Sequence, residues 1–215
     1  MNDNPLGEAF WPLGEPSWAA AVAKPPPWRH GEGRVQFENP WLKVVDYQAT
    51  APTGHETRFG VVRFKNRAVG VLPLHADGTV VLVGQHRFPR MNYSWEMPEG
   101  GAPMGEDPLE GVKRELAEEA GLNAGQWRRA LALELSNSVT DEEALCWLAW
   151  ELTPAAGELD PTEALNLARV PFRALLAEAV AGRVQDALTV ATALRAYHMA
   201  REGELPDDLS RAMLA

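Results

Sequence analysis

A mixed α/β fold, with helices packed on the faces of a mixed sheet, is what this sequence predicts, and three observations lead there. Short runs heavy in Val, Leu and aromatic residues recur from residue 41 onward. Helical stretches with their own start and stop signals interrupt them only after residue 107, and the two kinds of segment do not alternate strictly. Strict βαβ alternation would favour a wholly parallel sheet; its absence favours an α+β mixed sheet. The chain has 215 residues, of which 46% are hydrophobic and 23% charged, the balance of an ordinary soluble globular protein of one domain, or one domain plus an appendage.

Residues 1–40 hold seven of the 17 prolines and three of the eight tryptophans, with the run Lys24-Pro25-Pro26-Pro27-Trp28 among them, which favours an extended arm over packed helix. Trp11, Trp18 and Trp28 would be costly left in water, so the arm is expected to dock, on its own domain or on a partner subunit. Strands are expected at Trp41 to Ala49, Thr57 to Phe64, Ala68 to Leu74 and Thr79 to Arg87, with His75-Ala76-Asp77-Gly78 as a hairpin turn between the last two. A helix follows at Pro108 to Ala120, then strands near Ala130 to Leu135, Ala144 to Leu152 and Leu167 to Val170. Two helices close the chain, Pro171 to Ala181 ending at Gly182 and Asp186 to Arg201 ending at Gly203. The resulting domain division is 1–64 for the arm and dimerisation strands, 65–203 for the main domain, and 204–215 for a C-terminal tail.

A formal net charge of −10 leaves no basic field to hold a phosphate backbone, which argues against nucleic-acid binding as the main task. The single cysteine, Cys146, excludes an internal disulfide framework and sits in the apolar run Ala144 to Trp150, where a buried core thiol is expected. No signal peptide and no apolar stretch near the ~18 residues of a membrane span is evident, so a cytoplasmic protein without membrane partners is expected.

The helix at 108–120 carries the chemistry. Asp107 can cap it, Pro108 suits its first position, Glu110 completes a capping-box-like pair, and Gly121 ends it. At 100° per residue, Leu109, Val112, Leu116 and Ala120 form the core-facing stripe. Glu115, Glu118 and Glu119 share another face, and Gly111 one turn earlier adds no side chain to crowd it. Glu115 and Glu119 are like charges at i,i+4, costing about 0.2–0.5 kcal/mol, and no Lys or Arg stands four residues beyond either. A solvated acidic face would explain most charge runs, but here positive charge must come from elsewhere. Carboxylates without Cys or His select a hard divalent cation, Mg²⁺ or Mn²⁺, rather than the many-ligand cage of Ca²⁺.

The stretch GGAPMGEDPLEGVKRELAEEAGL, starting at Gly100, resembles the Nudix box, Gx5Ex7REUxEExGU with U aliphatic: Gly100, Glu106, Arg114, Glu115, Leu116, Glu118, Glu119, Gly121 and Leu122 all fall in register. The resemblance implies an α/β/α sandwich and hydrolysis of a nucleoside diphosphate linked to another group, X. It puts the divalent metal on Glu115 and Glu119, with Glu118 beside them and the backbone carbonyl of Glu99 as a further ligand. Arg114, four residues from both Glu110 and Glu118, would orient carboxylates, and Glu106 would serve in the outer shell or at a second metal.

Upstream, Val83-Gly84-Gln85-His86-Arg87 and Trp95-Glu96-Met97-Pro98-Glu99-Gly100 resemble the QxR and WExPxG segments of ADP-ribose pyrophosphatases. That likeness implies a homodimer exchanging N-terminal strands, and makes Arg87, Glu96 and Arg58 candidates for the nucleotide site, Arg58 by reaching into the neighbouring subunit. It is incomplete in one place. Such enzymes usually carry a proline about fifteen residues beyond the box, where this chain has Ser136-Asn137-Ser138-Val139-Thr140-Asp141-Glu142, so X could be another sugar. The catalytic base is expected before the last strand, at Glu163 or Asp160, with Glu142 and Glu143 as alternatives. A hydrolase of dinucleoside polyphosphates or nucleoside triphosphates is the second reading, and a nucleotide sensor without catalysis the third. All five histidines lack metal-ligand spacing.

Overall fold

The computed structural model describes residues 22–155 and 165–215 and divides into two compact units, Met1–Gly33 with Tyr47–Phe59, and Arg34–Asp46 with Gly60–Ala215. Trp11, Trp18, Asp160 and Glu163 lie outside the described residues. The N-terminal strands are β1 (Arg29–His30), β2 (Arg34–Glu38), β3 (Leu42–Thr50) and β4 (Glu56–Phe64). Within the first unit β1 pairs antiparallel with the end of β3, Arg29 opposite Thr50. There Trp28 meets Phe59 edge to face at 5.4 Å, and His30 meets Tyr47 at 4.9 Å. Trp28 nevertheless stays 48% exposed, and its ring contact is with a residue of its own unit. Within the second unit β2 pairs with the start of β3, shifted by a bulge between Val35 and Phe37.

The second unit continues with β5 (Asn66–Pro73), β6 (Thr79–Arg87), β7 (Asn92–Glu96), β8 (Glu99–Pro103), α1 (Pro108–Ala120), β9 (Leu122–Glu134), β10 (Glu143–Pro154), β11 (Asn166–Pro171), α2 (Phe172–Val180), α3 (Ala187–Arg201) and α4 (Asp207–Leu214). One sheet has the order β8-β5-β10-β9, in which β5 and β10 run parallel and the other neighbours antiparallel; a second has the antiparallel order β11-β6-β7.

The layering follows from strand alternation. A Cβ at Gly100 or Ala102's own methyl points at α1, whereas Gly70, beside Glu99, looks toward Leu188 of α3. The first sheet is therefore covered by α1 on one face and α3 on the other, the expected α/β/α arrangement. Leu72, Leu82, Met97, Cys146, Leu148, Phe172, Met199 and Met213 fill the core under α2, α3 and α4.

Three expectations are corrected. The turn at 75–78 forms, with His75 donating its N–H to the Thr79 carbonyl and Gly78 at φ +80°, but the strands it joins enter different sheets and share only the bridge Leu74–Val80. The turn lies against α4: a Cβ at Gly78 would stand 2.2 Å from the Ala212 carbonyl oxygen. Within residues 204–215, expected as a tail, Asp207–Leu214 form α4, because Leu209 and Met213, four residues apart, bury one face. β9 begins at Leu122, directly after the Gly121 cap, rather than near residue 130.

Candidate active site

α1 is set by its own ends. The Asp107 carboxylate accepts from the Leu109 N–H at 2.9 Å, and Gly121 adopts the left-handed conformation that returns its N–H to the last turn. Val112, Leu116 and Ala120 are buried, as the stripe requires. Glu110 does not close a capping box; its carboxylate accepts from Lys113 Nζ at 2.7 Å, one turn along.

Glu115 stands over β8 in a cradle made by the missing side chain of Gly100, where a Cβ would come within 2.3 Å of the Glu115 carboxyl carbon. Glu119 is buried, and its Oε2 accepts the Glu99 N–H at 2.8 Å, joining the last carboxylate of the box to the start of the strand. Glu118 is the more exposed of the three. Arg114 holds two of them: Nη1 donates to Glu115 Oε1 at 2.8 Å and to Glu118 Oε2 at 3.0 Å, and Nη2 to the Gly101 carbonyl at 2.9 Å. The expected partner Glu110 is replaced by Glu115. Burial opposes the Arg114 charge, but Glu115 and Glu118 more than offset it and raise the guanidinium pKa. Glu106 Oε2 is buried without a hydrogen-bond partner, 3.9 Å from Arg114 Nη2. Gly111 has a definite reason to be glycine, since a Cβ there would stand 2.7 Å from the Ala102 methyl.

On the opposite face of the sheet lies a second charged group. Arg87 donates three times to the buried Glu96 carboxylate, from Nε to Oε1 at 3.1 Å and Oε2 at 2.9 Å and from Nη2 to Oε2 at 2.5 Å, and from Nη2 to Glu99 Oε1 at 3.0 Å. Carboxylate oxygens of Glu96, Glu99 and Asp186 lie within 4.8 Å of one another. Burial, then the neighbouring Asp186 and Glu96 charges, push the Glu99 carboxyl well above the usual carboxylate range. Glu99 thus serves both faces, through its N–H toward Glu119 and its side chain toward Arg87.

The expected residues divide accordingly. Glu115, Glu118, Glu119, Arg114 and the Glu99 backbone come together beside α1; Arg87 and Glu96 come together beside α3; Arg58 belongs to the first unit. Glu142 and Glu143 open the strand β10 side of an acidic hollow of about 230 Å³, and burial raises both carboxyls. The 136–142 loop is tied down by Asp141, which accepts from the Phe64 N–H at 2.9 Å and from Arg63 at 3.2 Å. Sequence reasoning missed Asp186 as a site residue, reading it as the start of a helix, which it also is: its Oδ2 accepts the Thr189 N–H at 2.7 Å. It also passed over Arg90, which makes no ion pair among the described residues and lines a cavity with Arg87 and Glu96. No local spacing marks either residue.

The NUDIX domain profile matches residues 64–183, more than half of the chain. This chain belongs to the Nudix family. It is a Nudix hydrolase, acting on phosphoric anhydrides. The chain is 30% identical over 152 residues to the ADP-ribose pyrophosphatase of Bacillus subtilis (strain 168), covering 68% of this chain and 82% of that one. It is 30% identical to the methanol dehydrogenase activator of Bacillus methanolicus, over 69% and 80% of the two chains. A solved structure described as an ADP compounds hydrolase superposes with a TM-score of 0.75 at 18% identity, covering 85% of this chain and all of the other, which bears on the fold alone. Among the described residues no helix is long and apolar enough to cross a membrane.

Proposed function

We propose that this Nudix hydrolase is an Mg²⁺-dependent pyrophosphohydrolase that cleaves the diphosphate of a nucleoside diphosphate linked to X, with ADP-ribose or a related sugar nucleotide as substrate. The products are a nucleoside monophosphate and a phosphorylated X. The observation that carries this reading is the joining of the box to β8: Gly100 makes room for Glu115, and the Glu99 N–H fixes Glu119. The residues fit a hard cation. Every candidate donor is an oxygen, the buried Glu106 Oε2 lacks a hydrogen-bond partner, and Gly100 leaves the Glu115 carboxylate its place over the strand. Glu115, Glu119, Glu118 and the Glu99 carbonyl would hold Mg²⁺, with Mn²⁺ as a substitute. Bound there, the cation would supply the positive charge that polarises a diphosphate and lowers the pKa of water.

Arg114 bridges Glu115 and Glu118 and orients both, through charge-assisted hydrogen bonds from its Nη1. Glu163 is the base of this reading; it takes a proton from water as the water oxygen bonds to phosphorus, and the bridging P–O bond breaks. Arg87, with Glu96, serves the nucleotide, and Arg58 does so from a neighbouring subunit of a homodimer. The domain division at 64 and a cytoplasmic setting belong to the same reading. The 30% identity to an ADP-ribose pyrophosphatase over most of both chains supports it. The likeness to the RNA pyrophosphohydrolase of Caulobacter vibrioides covers only 26% of this chain and supports no change of substrate class. Product analysis on ADP-ribose, sugar nucleotides, dinucleoside polyphosphates and nucleoside triphosphates, with and without Mg²⁺, tests the proposal. Turnover of the last two classes alone would overturn it.

A further inference from the structure

β7 belongs to one sheet and β8 to the other, and only Met97 and Pro98 lie between them. This crossing leads directly into Glu99, and each of the three residues is tied to a different element. The Met97 N–H donates to the Thr189 hydroxyl of α3 at 2.9 Å, the Pro98 carbonyl accepts the Val71 N–H of β5 at 2.9 Å, and the Glu99 N–H donates to Glu119 Oε2 of α1 at 2.8 Å. The bond to Val71 decides which way Glu99 faces. In an antiparallel ladder, pairs that exchange hydrogen bonds alternate with pairs that do not, and the N–H and carbonyl of one residue point to the same side. Val71 bonds to Pro98, so the next pair, Gly70 opposite Glu99, is one that does not. Because β8 ends its sheet order, Glu99 turns both its N–H and its carbonyl to the open edge, beside Glu119.

Thr189 reaches this crossing from the face of the sheet opposite α1. It is the third residue of α3 and is fully buried. The Asp186 carboxylate fixes that first turn by accepting the Thr189 N–H at 2.7 Å. Gly70 lets the turn come close, since a Cβ there would stand 2.4 Å from Met97 Cε and 3.6 Å from Leu188 Cδ2. Neither packing nor helix propensity asks for a hydroxyl at such a place, where valine has the same shape without a polar atom to bury. What the hydroxyl meets is the Met97 N–H, which lies between two strands and takes its partner from α3 rather than from a sheet.

We infer that Thr189 is a positioning residue for the divalent cation. By holding Met97 from α3 it sets the crossing, and with it the place of the Glu99 carbonyl and of the N–H that orients Glu119. This role rests on the placing of the metal in the proposed function, but its test needs no turnover. A Mn²⁺ titration of the full chain without substrate, followed by electron spin resonance, measures it, with Tm and the kcat and KM for ADP-ribose alongside. Thr189→Val keeps the shape and removes the acceptor, Thr189→Ser restores it, and Thr192→Val removes an equally buried hydroxyl one turn along that makes no bond to Met97. Thr189→Val should weaken Mn²⁺ binding about tenfold or more and lower kcat by a similar factor with KM little changed, since partners that orient metal ligands are typically worth about 10–100-fold. Thr189→Ser and Thr192→Val should bind Mn²⁺ within about twofold of wild type even where Tm falls, because a hydroxyl that only served stability would move Tm alone. Mn²⁺ affinity in a folded Thr189→Val protein within about twofold of wild type would overturn the inference, as would equal losses in Thr192→Val or Thr189→Ser, and each leaves the metal reading standing. A wild type that binds no Mn²⁺ would refute both. If Thr189→Val does not fold, amide exchange in the wild type decides: saturating Mg²⁺ should slow exchange of the Met97 N–H about fivefold or more, because a ligand that uses the crossing stabilises it in return, and unchanged exchange would overturn the inference.

Discussion

Replacing Gly100 by alanine tests the metal face without touching a charged residue. Gly100 lies in β8 and has no left-handed backbone, so alanine is conformationally acceptable there. Its Cβ would stand 2.3 Å from the Glu115 carboxyl carbon and 2.4 and 2.5 Å from its two oxygens. To regain ordinary van der Waals contact, the carboxylate must retreat by about 1 Å. The clashing atoms are the far end of a flexible side chain rather than backbone, so the retreat is made by Glu115 and the fold survives. Destabilisation of about 1 kcal/mol, a fall of roughly 2–4 °C in Tm for a chain of this size, is expected. The retreat strains the 2.8 Å hydrogen bond from Arg114 and moves a charge from its place beside Glu119. A misplacement of about 1 Å costs roughly 10²-fold in rate, or about 2.7 kcal/mol in the barrier. The assay pairs steady-state hydrolysis with a Mn²⁺ binding titration followed by electron spin resonance. Lower kcat, weaker Mn²⁺ binding and a Tm lower by no more than those few degrees are expected together. A variant that melts normally, binds Mn²⁺ as wild type does and keeps its kcat would refute the placing of a cation on Glu115.

Glu115→Gln and Glu119→Gln should each lower kcat by at least ~10²-fold, with near-normal turnover at saturating Mg²⁺ as the contrary result. Glu163→Gln should retain metal and substrate affinity but lose roughly 10²–10⁴-fold in turnover; survival of activity there, with loss in Glu142→Gln or Glu143→Gln, moves the base to the start of β10. Removing residues 1–40, which takes β1 and β2 with it, should weaken self-association in light scattering, whereas a wild-type monomer at micromolar concentration, fully active after the deletion, would contradict the dimer. Burial pushes the Cys146 thiol up to about 12, so at pH 8 the native protein should react with a disulfide reagent at least ~10³-fold more slowly than the unfolded chain, and comparable rates would place the thiol outside the core.

The elements legible in the sequence are those whose cause is local. α1 begins at Pro108 and ends at Ala120 as its caps and its 3.6-residue stripe require, because a cap or an i,i+4 pair involves residues within one turn. β6 spans Thr79–Arg87 for a similar reason, as an apolar run closed by a turn. The box residues fall on one helix, so their common face is arithmetic. What joins them to the rest is not. Whether the turn at 75–78 makes a hairpin depends on which strand each neighbour finds: β5 takes β10 and β8, β6 takes β7 and β11, and no residue near the turn records that choice.

The sequence by itself therefore determined the helix, its carboxylates and, through the complete box, the family. Tertiary structure decided that Arg114 pairs with Glu115 rather than Glu110, that residues 207–214 are a packed helix, and that Asp186 meets Glu96 across 90 positions of chain. Each of those outcomes is set by sheet register and by helices closing over a shared core, where the decisive contact is between residues far apart in sequence, and side-chain periodicity carries no information about such partners.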